Sequence, residues 1–482
     1  MRLTVALLAF AALAGISAPP APASEPLQAG FAAIDITPDV ENGRRIYLAG
    51  YGMNRKATGI HDRLYARTVV FSHGSDRIAL VSVDLVGLQY PAVKAVREQL
   101  ADFRYVLVAS THNHEGPDVI GIWGKGPFSR GVDDEYVKTV VQRVVASVKQ
   151  AAEHMIPVTG SYGTAEDATL LADTRLPDCR DGVLRAVRLN RAGTRTPAGI
   201  IVQWNCHPES LGAKNQLITA DFPWATLESL EQKYGCPVVY FSGAVGGLMT
   251  HPTGRLKSQA GEELSEGTFE FAKAYGRAVA DLAEKALEGA QNLELSPLHV
   301  AAQPISVPVQ NSLYRAARAI GVMQREGLVW TGDFQTIGVT QNHDNADKPS
   351  AVESEVVYLR LGELHIAGVP GELYPELVHG QFEQPPALGV DFPDVELEPV
   401  VARLMPGPKW LLFGLANDEL GYIIPKRQWD KSPPYAYGRD GGQYGEINSC
   451  GPEVAPIIME ALRRRIAEVN AVPPGKTAGA AD

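Results

Sequence analysis

Apolar positions along this chain follow two rhythms. Continuous runs rich in β-branched residues, at Arg77–Leu85, Tyr105–Ser110, Gly199–Asn205, Pro237–Ser242, His365–Val369 and Trp410–Leu415, have the length and composition of buried strands. Between and around them, apolar residues recur at helical spacing over Asp133–Glu153, Phe222–Tyr234, Glu266–Glu288, Tyr314–Glu326 and Glu453–Val469. Asp133 or Asp134 supplies the N-cap of the first helix. Strands alternating with helices of this length predict an α/β fold, with mixed or largely parallel sheets flanked by helices. No internal repeat or strong linker interrupts the pattern, so residues 27–469 read as a single large catalytic domain. The polar, Ala/Gly-rich stretch 472–482 reads as a disordered tail.

The amino terminus changes this picture. Arg2, the apolar run Leu3 to Ile16 and the Ala21-Pro22-Ala23 site have the layout of a cleaved signal peptide, which predicts a secreted or periplasmic protein. The run is too short, and too soon followed by prolines, for a membrane span, so the mature chain is expected to carry no transmembrane segment. Removing Arg2 takes the formal charge from −11 to −12, and an acidic chain without Lys/Arg clusters is not expected to bind nucleic acid. Export permits disulfides, and Cys179 and Cys450 sit in polar, loop-like surroundings. Cys206 lies in an apolar strand beside His207 and reads as a buried free thiol, and no CxxC pair exists to hold zinc.

Chemistry-bearing residues gather after the strands. Tyr105–Ser110 runs into Thr111-His112-Asn113-His114-Glu115-Gly116-Pro117, and Gly199–Asn205 into Cys206-His207-Pro208-Glu209. Pro237–Ser242 opens into Gly243-Ala244-Val245-Gly246-Gly247, His365–Val369 leads to Pro370-Gly371-Glu372, and Trp410–Leu415 leads to Asn417-Asp418-Glu419 with Tyr422 behind. Ligands of α/β sheets bind beyond the carboxyl ends of strands. If the extended backbone persists past Ser110, His112 and His114 share a face. They then bind a metal together, or one binds while the other moves protons. Hydrogen-bonded loop histidines are the plainer alternative, as a helix-start acid is for Glu372. Two histidines, a glutamate and an open position make a catalytic zinc set. The chain has no G-x-S-x-G elbow and no Walker A motif, and Ser242 reads as a turn residue rather than a nucleophile.

At these residues the chain resembles the neutral/alkaline non-lysosomal ceramidase family, in its amino-terminal catalytic domain. The resemblance runs through Ala33-Ile34-Asp35-Ile36-Thr37-Pro38, Gly50-Tyr51-Gly52, Gly59 to Arg67 and Val81 to Leu85. THNHEGP is similar to the family's T-H-T-H-S-G-P, and WNCHPES, PGELYPEL and GLANDELGY resemble its later histidine, glutamate and tyrosine segments. The resemblance implies one zinc ion per chain held by His112, His207, Glu372 and Tyr422. The tyrosine segment of the family holds two tyrosines, the other aligning near Glu419. His114 is implied to face the substrate carbonyl or leaving group, and Arg175 to help hold the reacting group. Two departures stand out. The serine proposed to act in the family is Met249 here, and the sequence ends where the family continues into a β-sandwich.

The expectation is an exported zinc-dependent hydrolase that cleaves the amide of an N-acylated, ceramide-like lipid or small molecule by a metal-activated water. The departures keep two alternatives open: the same scaffold acting on a non-lipid amide, ester or lactone, and a non-catalytic binding protein.

Overall fold

In the computed structural model the described residues are 26–41, 43–257, 261–341 and 348–471. The signal segment and the tail lie outside them. Nine strands form one sheet, in the order Val238–Ser242, Pro197–Trp204, Val183–Arg191, Ile156–Glu166, Gln28–Asp35, Tyr65–His73, Asp76–Val83 and Tyr105–Ser110, with Gln291–Leu293 on Ile156–Glu166. A second sheet of six runs Thr340–Gln341, Gly327–Val329, Ser350–Leu361, Leu364–Gly368 and Trp410–Phe413, with Leu298–Pro308 also on Ser350–Leu361.

The sheets are mixed, and most pairings within them are antiparallel. In these two sheets only Val238–Ser242 with Pro197–Trp204, Asp76–Val83 with Tyr105–Ser110, and Leu364–Gly368 with Trp410–Phe413 run parallel. Those three pairs contain every strand read from the sequence, each within a few residues of its expected ends. The reason is burial: all six residues of Tyr105–Ser110 and all five of Val238–Ser242 are buried, as in parallel strands covered on both faces. The long antiparallel strands were not foreseen. Ile156–Glu166 carries Pro157, Gly160 and Gly163, and Ser350–Leu361 buries Ser354 and Glu355, which breaks the apolar signal.

The nine-stranded sheet curls until its two ends meet, where Ser82 Oγ donates to Tyr240 O and Ser242 Oγ donates to Thr111 O. The second sheet closes on the same place. Phe241 stacks on Phe413 with 3.9 Å between centroids, and Asn417 N donates to Val108 O. Three parallel pairs therefore end at one spot, and their outgoing loops converge there.

Helices cover the outside. Asp133 caps Asp134–Glu153 by accepting from the Glu135 and Tyr136 amides, and Val140, Val144, Val148 and Ala151 form the buried stripe. Phe222–Tyr234 starts at Asp221 and ends at Gly235 in the left-handed region (φ 62°). Thr268 caps Phe269–Glu288, so that helix begins later than expected. The helix expected over Tyr314–Glu326 is instead Ser312–Ala319, capped by Asn311. Gly321 (φ 75°) turns the chain, and the Val322 and Met323 amides bond back to Ala317 O. None of the described helices is long and apolar enough to cross a membrane. All four cysteines are buried and free, including Cys206 as expected, and Cys179 and Cys450 are not paired.

Candidate metal centre

His112 does not reach its place by strand alternation. Its φ of 67° puts it in the left-handed region, so the extended backbone stops at Thr111, and the two imidazoles meet through this kink. Such strain persists only where the surroundings enforce it. Here His112 Nδ1 bonds Val86 O at 2.7 Å, the Asn113 amide bonds Leu85 O, and Asn113 Nδ2 bonds Thr219 O.

His207 is held the same way. Its Nδ1 bonds Met249 O at 2.8 Å, and its own amide bonds that oxygen as well. Met249 therefore contributes through its carbonyl, and its buried side chain needs no chemistry. With each Nδ1 on a backbone carbonyl, the tautomer is fixed and the Nε2 lone pair is free, which is the outer-shell arrangement of metal-ligating histidine. Glu372 lies between them, its Oε2 3.0 Å from His207 Nε2 and 3.3 Å from His112 Nε2.

His114 completes a buried group of three. Its Nε2 is 3.2 Å from His112 Nε2, and ligand atoms of His112, His114 and His207 all lie within 4.8 Å of one another. This group could hold a metal ion. His114 differs from the other two in its other nitrogen, which faces the Glu209 carboxylate at 3.6 Å. Gly50 (φ 91°) passes so close that a Cβ there would sit 2.4 Å from His114 Cγ, which explains the glycine of the Gly50-Tyr51-Gly52 turn.

Charge follows this arrangement. Burial alone would raise the Glu372 carboxyl, but His112 and His207 outweigh it and hold Glu372 below the usual carboxylate range. Burial opposes charge on His207, yet Glu372, Glu209 and the Met249 carbonyl raise it. His114 is pushed well below its ordinary value by burial, by the two neighbouring histidines and by Arg55. Two nitrogens and an anionic oxygen, buried and mutually oriented, match the donor set of zinc.

Tyr422 stands beside Glu372 and lines the same cavity as His112 and His114. Burial and the Glu372 charge push its phenol well above the ordinary value. Arg175 is placed differently. It does not line that cavity: its guanidinium makes two bonds of 2.8 Å to Glu446, donates to Gln428 O, and lies 5.3 Å over the Tyr374 ring. Tyr374 in turn meets Tyr422 edge-on, with centroids 6.0 Å apart.

Sequence reasoning assigned no role to Arg55, Glu209 or Glu419. Arg55 pairs with buried Glu115 at 3.0 Å and donates to the Ala49 and His114 carbonyls, clamping the THNHEGP loop. Nothing local in the sequence distinguishes it from other arginines. Glu209 and Glu419 belong to strand-end segments already singled out, and their motif positions were the available signal. In the Asn417-Asp418-Glu419 segment, Asn417 bonds the Val108 amide and Asp418 takes Arg325, so only Glu419 faces the cavity.

Residues 27–170 match the family model described as neutral/alkaline non-lysosomal ceramidase, N-terminal. That span includes His112 and His114 but ends before His207, Glu372 and Tyr422. Among solved structures, the fold is similar to the neutral ceramidase from Pseudomonas aeruginosa, at 17% identity and a TM-score of 0.68, over 95% of this chain and 76% of that one. It is similar also to a ceramidase complexed with C2, at 16% identity and a TM-score of 0.67, over 95% of this chain and 77% of that one. No curated protein sequence matches it.

Proposed function

We propose that this chain is a member of the neutral/alkaline non-lysosomal ceramidase family, whose N-terminal model its residues 27–170 match, and an exported zinc-dependent hydrolase that cleaves the amide of an N-acylated substrate. The observation that carries this reading is the seating of Glu372 Oε2 between the Nε2 atoms of His112 and His207, each ring locked by a backbone carbonyl. We assign His112, His207, Glu372 and Tyr422 to one zinc ion per chain. When bound, zinc would polarise the acyl carbonyl and lower the pKa of water to about 7.

The chain's own residues supply the rest. His114 is assigned proton transfer, taking a proton as water's oxygen adds to the acyl carbon and returning it to the nitrogen as the C–N bond breaks. Its neutral ring is free to accept, and Glu209 behind Nδ1 stabilises the cation that forms. Glu372 and Tyr422 hold one wall, and Arg175 acts on it through Tyr374. No serine is required, so Met249 is compatible with the reaction.

Chelation with dialysis should abolish hydrolysis of N-acyl amides, and added zinc should restore it. Full activity in a verified metal-free sample would remove this reading.

A further inference from the structure

The cavity in front of the histidine cluster is small. It holds about 80 Å³ and is lined by His112, His114, Trp123, Glu372, Glu419 and Tyr422 among others. Pockets for drug-sized ligands run to roughly 300–1,000 Å³. The adjoining space behind Tyr314 and Met323 adds only about 20 Å³. Neither space is large enough to enclose a long acyl chain.

Glu419 stands on the wall shared by both spaces. One oxygen, Oε1, accepts from the Gly421 amide at 2.8 Å, while buried Oε2 has no hydrogen-bond partner. Two cations line the second space: Arg325 is bound by both oxygens of Asp418, and Arg318 donates to Ser350 Oγ. Gly87 makes room for the side chain, because a Cβ there would sit 2.6 Å from Glu419 Cβ. A buried oxygen left without a partner has lost its water without replacement. In a cavity beside a metal-binding cluster, a ligand that donates to it supplies that replacement.

We propose that Glu419 is a specificity-determining residue, accepting a hydrogen bond from a hydroxyl or ammonium on the amine half of a compact, short-acyl substrate. The proposal rests on the amide-hydrolase reading and narrows it from lipid amides to short N-acyl amino alcohols and diamines.

The test compares N-butanoylethanolamine with N-butanoylpropylamine, in which a methyl group replaces the hydroxyl, and with N-palmitoylethanolamine, using zinc-loaded protein. Wild type should prefer the hydroxyl compound by at least about tenfold in kcat/KM and turn over the palmitoyl compound more slowly. E419L, which also takes the acceptor from the Gly421 amide and so lowers the thermal midpoint, should bring the hydroxyl preference of the zinc-loaded protein to about one, and E419Q, which keeps that acceptor and the thermal midpoint, should retain part of the preference. A preference unaltered in E419L, or faster turnover of the palmitoyl compound, overturns this inference alone. No turnover of any amide by zinc-loaded protein overturns the amide-hydrolase reading and this inference with it.

Discussion

Glu372 and Tyr422 are direct partners in a two-residue parallel ladder, Glu372–Leu373 against Tyr422–Ile423, although fifty residues separate them in sequence. The Glu372 amide also bonds Gly421 O, and Gly371 packs where a Cβ would strike that oxygen at 2.5 Å. This ladder carries the glutamate and tyrosine segments to the histidines as one rigid unit. Glu372→Gln keeps the shape and removes the charge, so zinc affinity should fall by more than the roughly 10–100-fold typical of an outer-shell partner. Tyr422→Phe keeps the ring contacts with Tyr374 and Tyr444 and should cost less. Competition with a chromogenic chelator measures both, and wild-type affinity in Tyr422→Phe would remove the phenol from the ligand set.

The two neighbouring histidines should fail differently when truncated. His112→Ala removes a nitrogen held by Val86 O, so bound zinc and turnover should fall together. His114→Ala should keep zinc near wild type and lower turnover by about 10²–10⁴-fold. Metal analysis beside steady-state rates decides. The close approach of all three imidazoles makes the other outcome concrete, since equal zinc loss in both variants would make His114 a ligand.

Arg175 separates support from contact with substrate. Arg175→Met strands the Glu446 carboxylate in the interior, where breaking a buried pair costs about 3–5 kcal/mol. The double variant Arg175→Met/Glu446→Leu removes both charges and should recover much of that loss in urea unfolding. It should also recover most of kcat if Arg175 acts by neutralising Glu446 and so keeping this wall folded. A stable double variant that remains inactive would instead show that the guanidinium itself is needed, through Tyr374 or on the reacting group.

How far the sequence could be read follows from where the signal was local. The parallel strands were legible because burial on both faces makes them continuous apolar runs, and the site was legible because its residues stand where those runs stop. The antiparallel strands were not, since Gly160, Gly163 and buried Glu355 break the pattern and are compensated by partners distant in sequence. Glu355, for example, is satisfied by Arg97, Tyr105 and Asn417. The helix end at Gly321 lost to an apparent period continued by Val322 and Met323, which bury themselves by turning back. The two histidines of the HxH pair do come together, with His207, but not by strand alternation, which gives way to a left-handed kink at His112. Arg55 and Arg175 depend on long-range ion pairs, which no local pattern announces.

Acid should destabilise the metal-free protein through His114. The ring is held well below its ordinary value, chiefly by burial and then by His112, His207 and Arg55. In the unfolded chain it binds a proton near pH 6.5. Below that pH the unfolded state takes up a proton that the folded state refuses, so the stability present above about pH 6.5 is lost as pH falls, by at most about 1.4 kcal/mol per unit. His207 acts in the opposite sense, because its raised value favours the folded state on protonation. Glu372, held low, contributes a loss only below the ordinary carboxylate value of about 4.3. The informative window is therefore between about pH 6.5 and 4.5. Urea unfolding of metal-free wild type and His114→Gln across it should show the flatter pH dependence in the variant. Identical slopes would mean that His114 takes up its proton in the folded protein, and the neutral ring assigned to proton transfer would have to be given up.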